Sequence, residues 1–267
     1  MKAFDYYKPS SVREAAALLS SGAERRPIAG GMSLLPMIKQ RLAAPAALID
    51  LSGISALKGI SADAATIMIG AMTRHADVAA SAAVTKALPA LARLAGGIGD
   101  PAVRNRGTIG GSLANNDPAA DYPAAILALD ATIVTNLREI PADRFFRGMF
   151  ETALEPDELI TAVKCPLPIA AGYATMRNMA SRFALVGVFV TKLDAGVRVA
   201  VTGAAPAVFR VPAFEAALAT RFEPAAIDGH AVDPSGLNTD IHAEAAFRAH
   251  LIGVMARRAV AAAQTIH

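Results

Sequence analysis

Two glycine pairs constrain this chain more than anything else in it. One lies in Arg104-Asn105-Arg106-Gly107-Thr108-Ile109-Gly110-Gly111-Ser112-Leu113-Ala114-Asn115, the other in Ala29-Gly30-Gly31-Met32-Ser33. Each is a short apolar approach ending in two glycines, followed by a hydroxyl residue and a helix-like segment. A glycine pair lets backbone come close to a ligand and turn its N–H groups outward. A helix start just beyond adds free donors and a positive partial charge. One such loop is a phosphate site, and two could hold the two phosphates of a dinucleotide from opposite sides. For either loop taken singly, an ordinary glycine turn is the competing reading.

The rest of the composition narrows the class. The 267 residues suit two domains or one large one, and 54% are apolar, enough for a substantial core. A net charge of +3, with no Lys/Arg-rich run, gives no footprint for nucleic acid. No stretch of about 18 uncharged apolar residues spans a membrane. Met1-Lys2-Ala3-Phe4-Asp5-Tyr6-Tyr7 lacks the apolar core of a secretion signal, so a cytoplasmic location is expected. The single cysteine, Cys165, cannot ligate an iron–sulfur cluster alone and reads as a structural thiol at a strand end. The five histidines form no i, i+4 pair, so no metal site is expected.

Ser11-Val12-Arg13-Glu14 is a capping box opening a helix through Leu19. A strand around Pro27–Ala29 feeds the first glycine loop, and Leu34–Leu42 reads as a helix with Pro36 in its first turn. Leu48–Leu51 is a short strand, so the first lobe alternates strand and helix. Thr66–Gly70 is a strand, Thr73 is placed to cap the next helix, and Leu88–Leu94 is helical. Gly97-Ile98-Gly99-Asp100-Pro101-Ala102 fits G-x-G-x-x-A but follows a helix where a Rossmann fingerprint must follow a strand, so it is rejected. A helix from about Asp121 to Leu129 precedes strands at Ala131–Thr135 and Glu158–Lys164. Pro166-Leu167-Pro168 and Ala170-Ala171-Gly172 punctuate the chain and set a domain boundary. Phe183–Leu193 and Val197–Thr202, joined by Asp194-Ala195-Gly196, read as a hairpin. Ala243–Gln264 reads as a helix with Phe247, Leu251, Val254 and Met255 at helical spacing.

These residues resemble a known family. The two glycine motifs, Asp117-Pro118-Ala119-Ala120-Asp121, Phe4-Asp5-Tyr6-x-x-Pro9, Asp100–Arg106 and Glu155-Pro156-Asp157-Glu158-Leu159-Ile160 are similar to those of the FAD-binding medium subunit of molybdenum hydroxylases, the carbon-monoxide-dehydrogenase flavoprotein type within the xanthine dehydrogenase family. The similarity covers essentially the whole chain. It implies an α+β fold: a two-lobed α/β FAD-binding domain of PCMH type over 1–168 (lobes about 1–56 and 57–168), then a small C-terminal domain of antiparallel sheet plus helices over 172–267. It implies non-covalent FAD here, with two 2Fe–2S clusters on a small partner subunit and molybdopterin on a large one, assembled as a dimer of heterotrimers.

Residue by residue, the resemblance puts the pyrophosphate against backbone from Ala29, Gly30, Gly31, Met32, Ser33 and Leu34, and against Thr108, Gly110 and Gly111. Ser112 stands where the family often has Asn. Asn115 and Asp121 match cofactor-bonding positions, with helix capping as the competing reading. Val103 and Gly107 would line the cofactor's path. Leu159 matches an apolar contact near the adenine, with plain strand core as its competitor. Phe183 would stack on the isoalloxazine, or else open the hairpin as a core residue. Met32 replaces a polar residue, often His or Gln, and Arg182 stands where an Asp is common.

No residue is assigned to catalysis. The implied role is electron transfer from iron–sulfur through FAD to an external acceptor. The competing role is a free-standing reductase of the UDP-N-acetylenolpyruvoylglucosamine reductase type, which needs acid and cationic groups in its C-terminal domain. Here that region offers mostly alanine and valine, with Arg198 and Arg210 as isolated charges.

Overall fold

The structure, a computed structural model, describes residues 2–265, so Met1, Ile266 and His267 lie outside it. It is an α+β fold built on three main sheets. The first is parallel and three-stranded, with Ala47–Asp50 between Asp5–Tyr7 and Arg25–Ile28. Parallel neighbours need a crossover, and the helix Val12–Ser20 supplies the first one. Ser11 caps that helix by accepting from the Glu14 N–H at 3.2 Å. The Glu14 carboxylate accepts from the Ser10 N–H at 2.9 Å instead of that of Ser11, so the capping box is shifted by one residue. Ala15 and Leu19 are buried on the helix's inner face with Ile49, Leu57, Met72 and Leu159.

The second sheet is antiparallel where the strand pairs are read, in the order Ile60–Ala62, Thr66–Gly70, Ile160–Pro166, Thr132–Thr135, Glu139–Pro141. Its central strand comes last in sequence, which closes the lobe around everything between. Cys165 is buried in that strand, and burial pushes its thiol up to about 12, too high for a nucleophile at neutral pH. The helix Tyr122–Ala128 is buried along its whole length. An apolar helix with no polar face needs cover on all sides. The third sheet and the helices Pro89–Gly97, Ile109–Asn115 and Ala142–Phe145 provide it.

The third sheet is antiparallel and runs Phe209–Arg210, Gly196–Thr202, Ala184–Leu193, Ala170–Arg177, Gln264–Thr265. Gly172, read in sequence as a breaker, lies inside Ala170–Arg177. A Cβ there would stand 1.9 Å from the Ala259 carbonyl oxygen. The glycine lets helix Ala245–Ala262 lie directly on the strand, which is a packing role invisible to local turn chemistry.

Other expectations also shift. The helix expected over Leu34–Leu42 stops at Lys39, because Arg41 adopts a left-handed φ of 61°. Thr73 does not cap: its hydroxyl donates to the Gly59 carbonyl at 3.1 Å, and Arg74 precedes the helix His75–Ala80. The C-terminal helix ends at Ala262, and Gln264–Thr265 pairs as a strand. Phe247 is not core, being 47% exposed, whereas Leu251 and Met255 are buried.

Glu158 anchors the junction between Thr132–Thr135 and Ile160–Pro166. Its buried carboxylate accepts from Arg138 Nη2 at 2.8 Å, the Thr135 hydroxyl at 2.7 Å and the Glu155 N–H at 3.0 Å. Arg138 foremost, helped by the Glu155 N–H and the Thr135 hydroxyl, lowers its pKa from 4.5 to about 2. The folded value lies below the unfolded one, so this stabilisation is complete above about pH 4.5 and is lost as pH falls toward 2. Thermal melts across that window should show a steep fall for the parent and a shallower one for Glu158→Gln, which has no proton to take up.

Candidate cofactor site

The strand Arg25–Ile28 delivers the chain to Gly30 and Gly31, and there the two glycine motifs meet. A Cβ on Gly30 would lie 2.1 Å from the Arg106 carbonyl oxygen and 2.8 Å from Gly107 Cα. A Cβ on Gly111 would lie 3.3 Å from that of Ala29. Backbone therefore touches backbone at the seam between the first two sheets. Gly31 turns the chain with φ +75°, which L side chains resist. The first helical bond runs from the Leu35 N–H to the Gly31 carbonyl at 3.1 Å. Among the described residues, the N–H groups of Gly30, Gly31, Met32, Ser33 and Leu34 have no protein acceptor. Five successive unpaired donors in a tight turn form an anion cradle. The Met32 side chain is 39% exposed and its backbone alone contributes.

The second motif works differently from the sequence reading. Gly110 and Gly111 lie inside the first turn of the helix Ile109–Asn115, not in a loop before it. Thr108 is the N-cap, and its hydroxyl accepts from the Gly111 N–H at 3.2 Å. The Gly110 N–H donates to the Ala71 carbonyl at 2.9 Å, that of Ile109 to Thr73 at 3.1 Å, and that of Ser112 to Thr108 at 3.0 Å. These N–H groups are spent on the fold, so the expectation that both pairs turn donors outward is corrected. Only the Thr108 N–H is left without an acceptor among the described residues. Gly110 is a packing glycine, since its Cβ would fall 2.5 Å from Ala71 Cβ. Gly111 presents bare backbone toward Ala29. The cradle is one-sided: the first loop donates and the second shapes.

Beyond the seam, Asp121 is buried, and its carboxylate takes Tyr173 Oη and, at 3.1 Å, Arg177 Nη2. Burial raises its pKa while Arg177 and Tyr173 oppose the rise. It makes no capping bond to the helix it precedes. Arg177 Nη1 also donates to the Arg182 carbonyl at 3.0 Å, and the Asn178 N–H to the Phe183 carbonyl at 2.8 Å. Phe183 is 53% exposed, so it is not core and presents its ring openly. Asn115 is half-buried at the helix end, and its side chain makes no hydrogen bond among the described residues. The neighbouring Asn116 does the structural work, donating to the Gly148 and Glu151 carbonyls at 2.8 and 2.7 Å. Leu159, 3% exposed, packs in the first lobe's core, which is its competing reading. Gly107 is buried at the seam against Gly30, and Val103 is half-buried in the helix Pro101–Arg106 before it.

Arg177 and Tyr173 escaped the sequence reading. Nothing local marks an arginine in an alanine-rich strand, and its partner Asp121 lies 56 residues away. The mouth of the seam opens into a cleft of about 560 Å³, lined among others by Lys58, Arg74 and Arg106, with Asp77 as the single carboxylate. Arg74 and Asp77 pair at 2.7 Å, leaving net positive charge beside Gly30 and Thr108.

Geometry of this kind defines an α+β scaffold with an anion cradle between two lobes, and comparison with known proteins specifies the family. The family model described as FAD binding domain in molybdopterin dehydrogenase matches residues 2–168. The chain is 40% identical over 221 residues to the carbon monoxide dehydrogenase medium chain of Hydrogenophaga pseudoflava, covering 78% of this chain and 77% of the relative. It is 36% identical to the nicotine 6-hydroxylase medium subunit of Paenarthrobacter nicotinovorans, covering 97% of each. Among solved structures, the carbon monoxide dehydrogenase of Hydrogenophaga pseudoflava lacking the Mo-pyranopterin moiety superposes with a TM-score of 0.88 at 37% identity, over 98% of this chain and 97% of that one. Quinoline 2-oxidoreductase from Pseudomonas putida 86 does so with the same TM-score at 29% identity and the same coverage. The chain belongs to the FAD-binding medium subunits of the molybdenum hydroxylases, and is thus a subunit of an oxidoreductase.

Gly30→Ala should damage the seam, because its Cβ would overlap the Arg106 carbonyl and force the loops apart. Overpacking of this kind costs about 1–3 kcal/mol. Calorimetry should show a lowered melting temperature for Gly30→Ala and none for Met32→Ala.

Proposed function

We propose that this chain is the electron-transfer subunit of a heteromeric molybdenum hydroxylase. It carries non-covalent FAD and passes electrons from iron–sulfur clusters on one partner, themselves fed from molybdopterin on another, to an external acceptor. The observation that carries the reading is the run of unpaired N–H groups from Gly30 to Leu34 at the seam. Diphosphate oxygens are the acceptors such a run lacks. FAD supplies an electron store that is filled and emptied one or two electrons at a time.

The residues of the chain bind and orient it. Ala29 to Leu34 hold the pyrophosphate, with Thr108 opposite, while Gly111 leaves room for the approach, Gly110 packs the helix on Ala71, and Ser112 and Asn115 offer side-chain bonds. Asp121 acts through Arg177, whose guanidinium lies between the buried carboxylate and the Arg182–Phe183 turn. Phe183 covers one flavin face. In this reading 1–168 is the FAD domain and 172–267 a supporting domain. No His or Cys stands in either glycine motif to form a covalent flavin bond. Partner chains carrying the clusters and molybdopterin fit a chain with one cysteine, itself buried. Among the described residues no helix is long and apolar enough to cross a membrane. The reductase alternative is not favoured: it needs a substrate pocket of its own, whereas Arg198 and Arg210 are engaged by Asp130, Asp143 and Glu215.

The native assembly, purified from its host and precipitated with acid, should release FAD into the supernatant and should contain a cysteine-rich small chain and a large chain. An assembly without flavin overturns the reading, as does oxidation of an organic substrate by this chain alone. Phe183→Ala should shift the flavin spectrum and reduction potential while changing the melting temperature little, since a half-exposed ring contributes little to the core. An unchanged potential removes Phe183 from the site.

A further inference from the structure

We infer that His75 is a further cofactor-binding residue, its imidazole hydrogen-bonding the dinucleotide beside the backbone of Gly107. The inference rests on the FAD site proposed above. His75 begins the helix His75–Ala80 and is clamped against the second motif by two backbone bonds. Its own N–H donates to the Gly107 carbonyl at 3.0 Å, and the Ile109 N–H donates to the Thr73 carbonyl at 3.1 Å. The ring stands where a side chain at residue 107 would be: a Cβ on Gly107 would lie 2.5 Å from His75 Nε2. That explains why residue 107 is glycine and sets the imidazole against the backbone of the second motif, directly after Thr73 and Arg74, which line the cleft.

The ring is only 5% exposed, yet it is unsatisfied. Nδ1 is wholly buried without a partner, and Nε2 has none among the described residues. A neutral imidazole carries one donor and one acceptor. A buried histidine serving only to brace the fold would meet partners within it, as Asn116 does. Burial, with Arg104 adding to it, lowers the pKa of His75 to about 4, so the ring is neutral at physiological pH and can offer a donor without a charge. On its other side, the ring lies 5.3 Å from that of Tyr122, tilted by 48°, and the Tyr122 hydroxyl is likewise buried without a partner. Tyr122 directly follows Asp121. His75 therefore touches both the second motif and the segment carrying Asp121, the two elements between which the flavin half would run.

The test uses the native assembly stripped of flavin and reloaded with FAD alone. His75→Phe keeps an aromatic ring, somewhat larger, and removes both nitrogens, while His75→Gln returns a donor and an acceptor. We expect His75→Phe to weaken FAD binding about tenfold, the scale of one hydrogen bond, and to shift the flavin absorption bands. His75→Gln should recover part of both. The flavin-free variants should melt within a few degrees of the parent. Parent-like affinity and spectrum in folded His75→Phe overturn the inference and leave an internal water as the ring's partner. A measurement on unmutated protein decides the matter if His75→Phe does not fold. Deuterium exchange at the His75 ring carbon, read by mass spectrometry, should slow severalfold when FAD is added, and no slowing overturns the inference. Parent assembly that takes up no FAD at all refutes the FAD site itself, and is told apart because it fails before any substitution.

Discussion

Everything at the site depends on the contact of Gly30 with the Arg106 carbonyl. Backbone meets backbone there, with no side chain between. The first lobe is a small parallel sheet whose helix and strands bury a modest core, and that core closes on Met72 and Leu159 from the second lobe. The lobes are thus joined twice, by an apolar contact that is tolerant of small changes in shape and by the glycine contact, which is not. The intolerant contact fixes the position of the cradle. The five donors from Gly30 to Leu34 are held at a set distance from Thr108 because the chain on either side cannot spread or slide.

The division of labour between the two glycine motifs follows from where each lies relative to a helix. The first pair precedes its helix, so its N–H groups point out of a turn with nothing to bond. The second pair sits within a helix whose first turn is capped by Thr108 and pinned by Ala71 and Thr73. The first four N–H groups of any helix lack intrahelical partners. Here the turn after the strand Thr66–Gly70 and the capping hydroxyl take up those of Ile109, Gly110 and Gly111. A motif can look the same in sequence and still differ in function, depending on which orphan donors the fold consumes.

How far the site was legible in the sequence follows the same line. The glycine pairs, the hairpin over Ala184–Thr202 and the helix at Tyr122 could all be read, because turn chemistry and periodicity are local. Gly172 was misread because its reason is the Ala259 carbonyl, almost ninety positions on in the chain. Arg177 and His75 could not be read at all. One owes its position to a carboxylate at the start of a helix 56 residues away, and the other to the absence of a side chain at Gly107. Sequence patterns report where backbone can go. They do not report which distant atom needs the space. The resemblance to medium subunits supplied Asp121, but not the fact that its carboxylate is already held by Arg177 and Tyr173.

That engagement gives the C-terminal sheet its purpose. The turn Asp117–Asp121 is stapled to it: the Thr202 hydroxyl donates to the Pro118 and Ala120 carbonyls at 3.0 and 2.6 Å, and the Gly203 N–H to Pro118 at 2.8 Å. Arg198 reaches the other end of the following helix, donating to the Leu127 carbonyl at 3.0 Å and pairing with Asp130 and Asp143. Both ends of a wholly apolar helix are therefore tied to the sheet by polar contacts. Breaking either end would leave a buried carboxylate or guanidinium unpaired, which costs far more than the pair contributes. Arg177 is spent on Asp121 and the Arg182 carbonyl, and Arg198 and Arg210 on Asp130, Asp143 and Glu215. With those groups engaged in holding structure, the sheet agrees with the proposed role, in which the chain positions a redox group and leaves substrate chemistry to its partners.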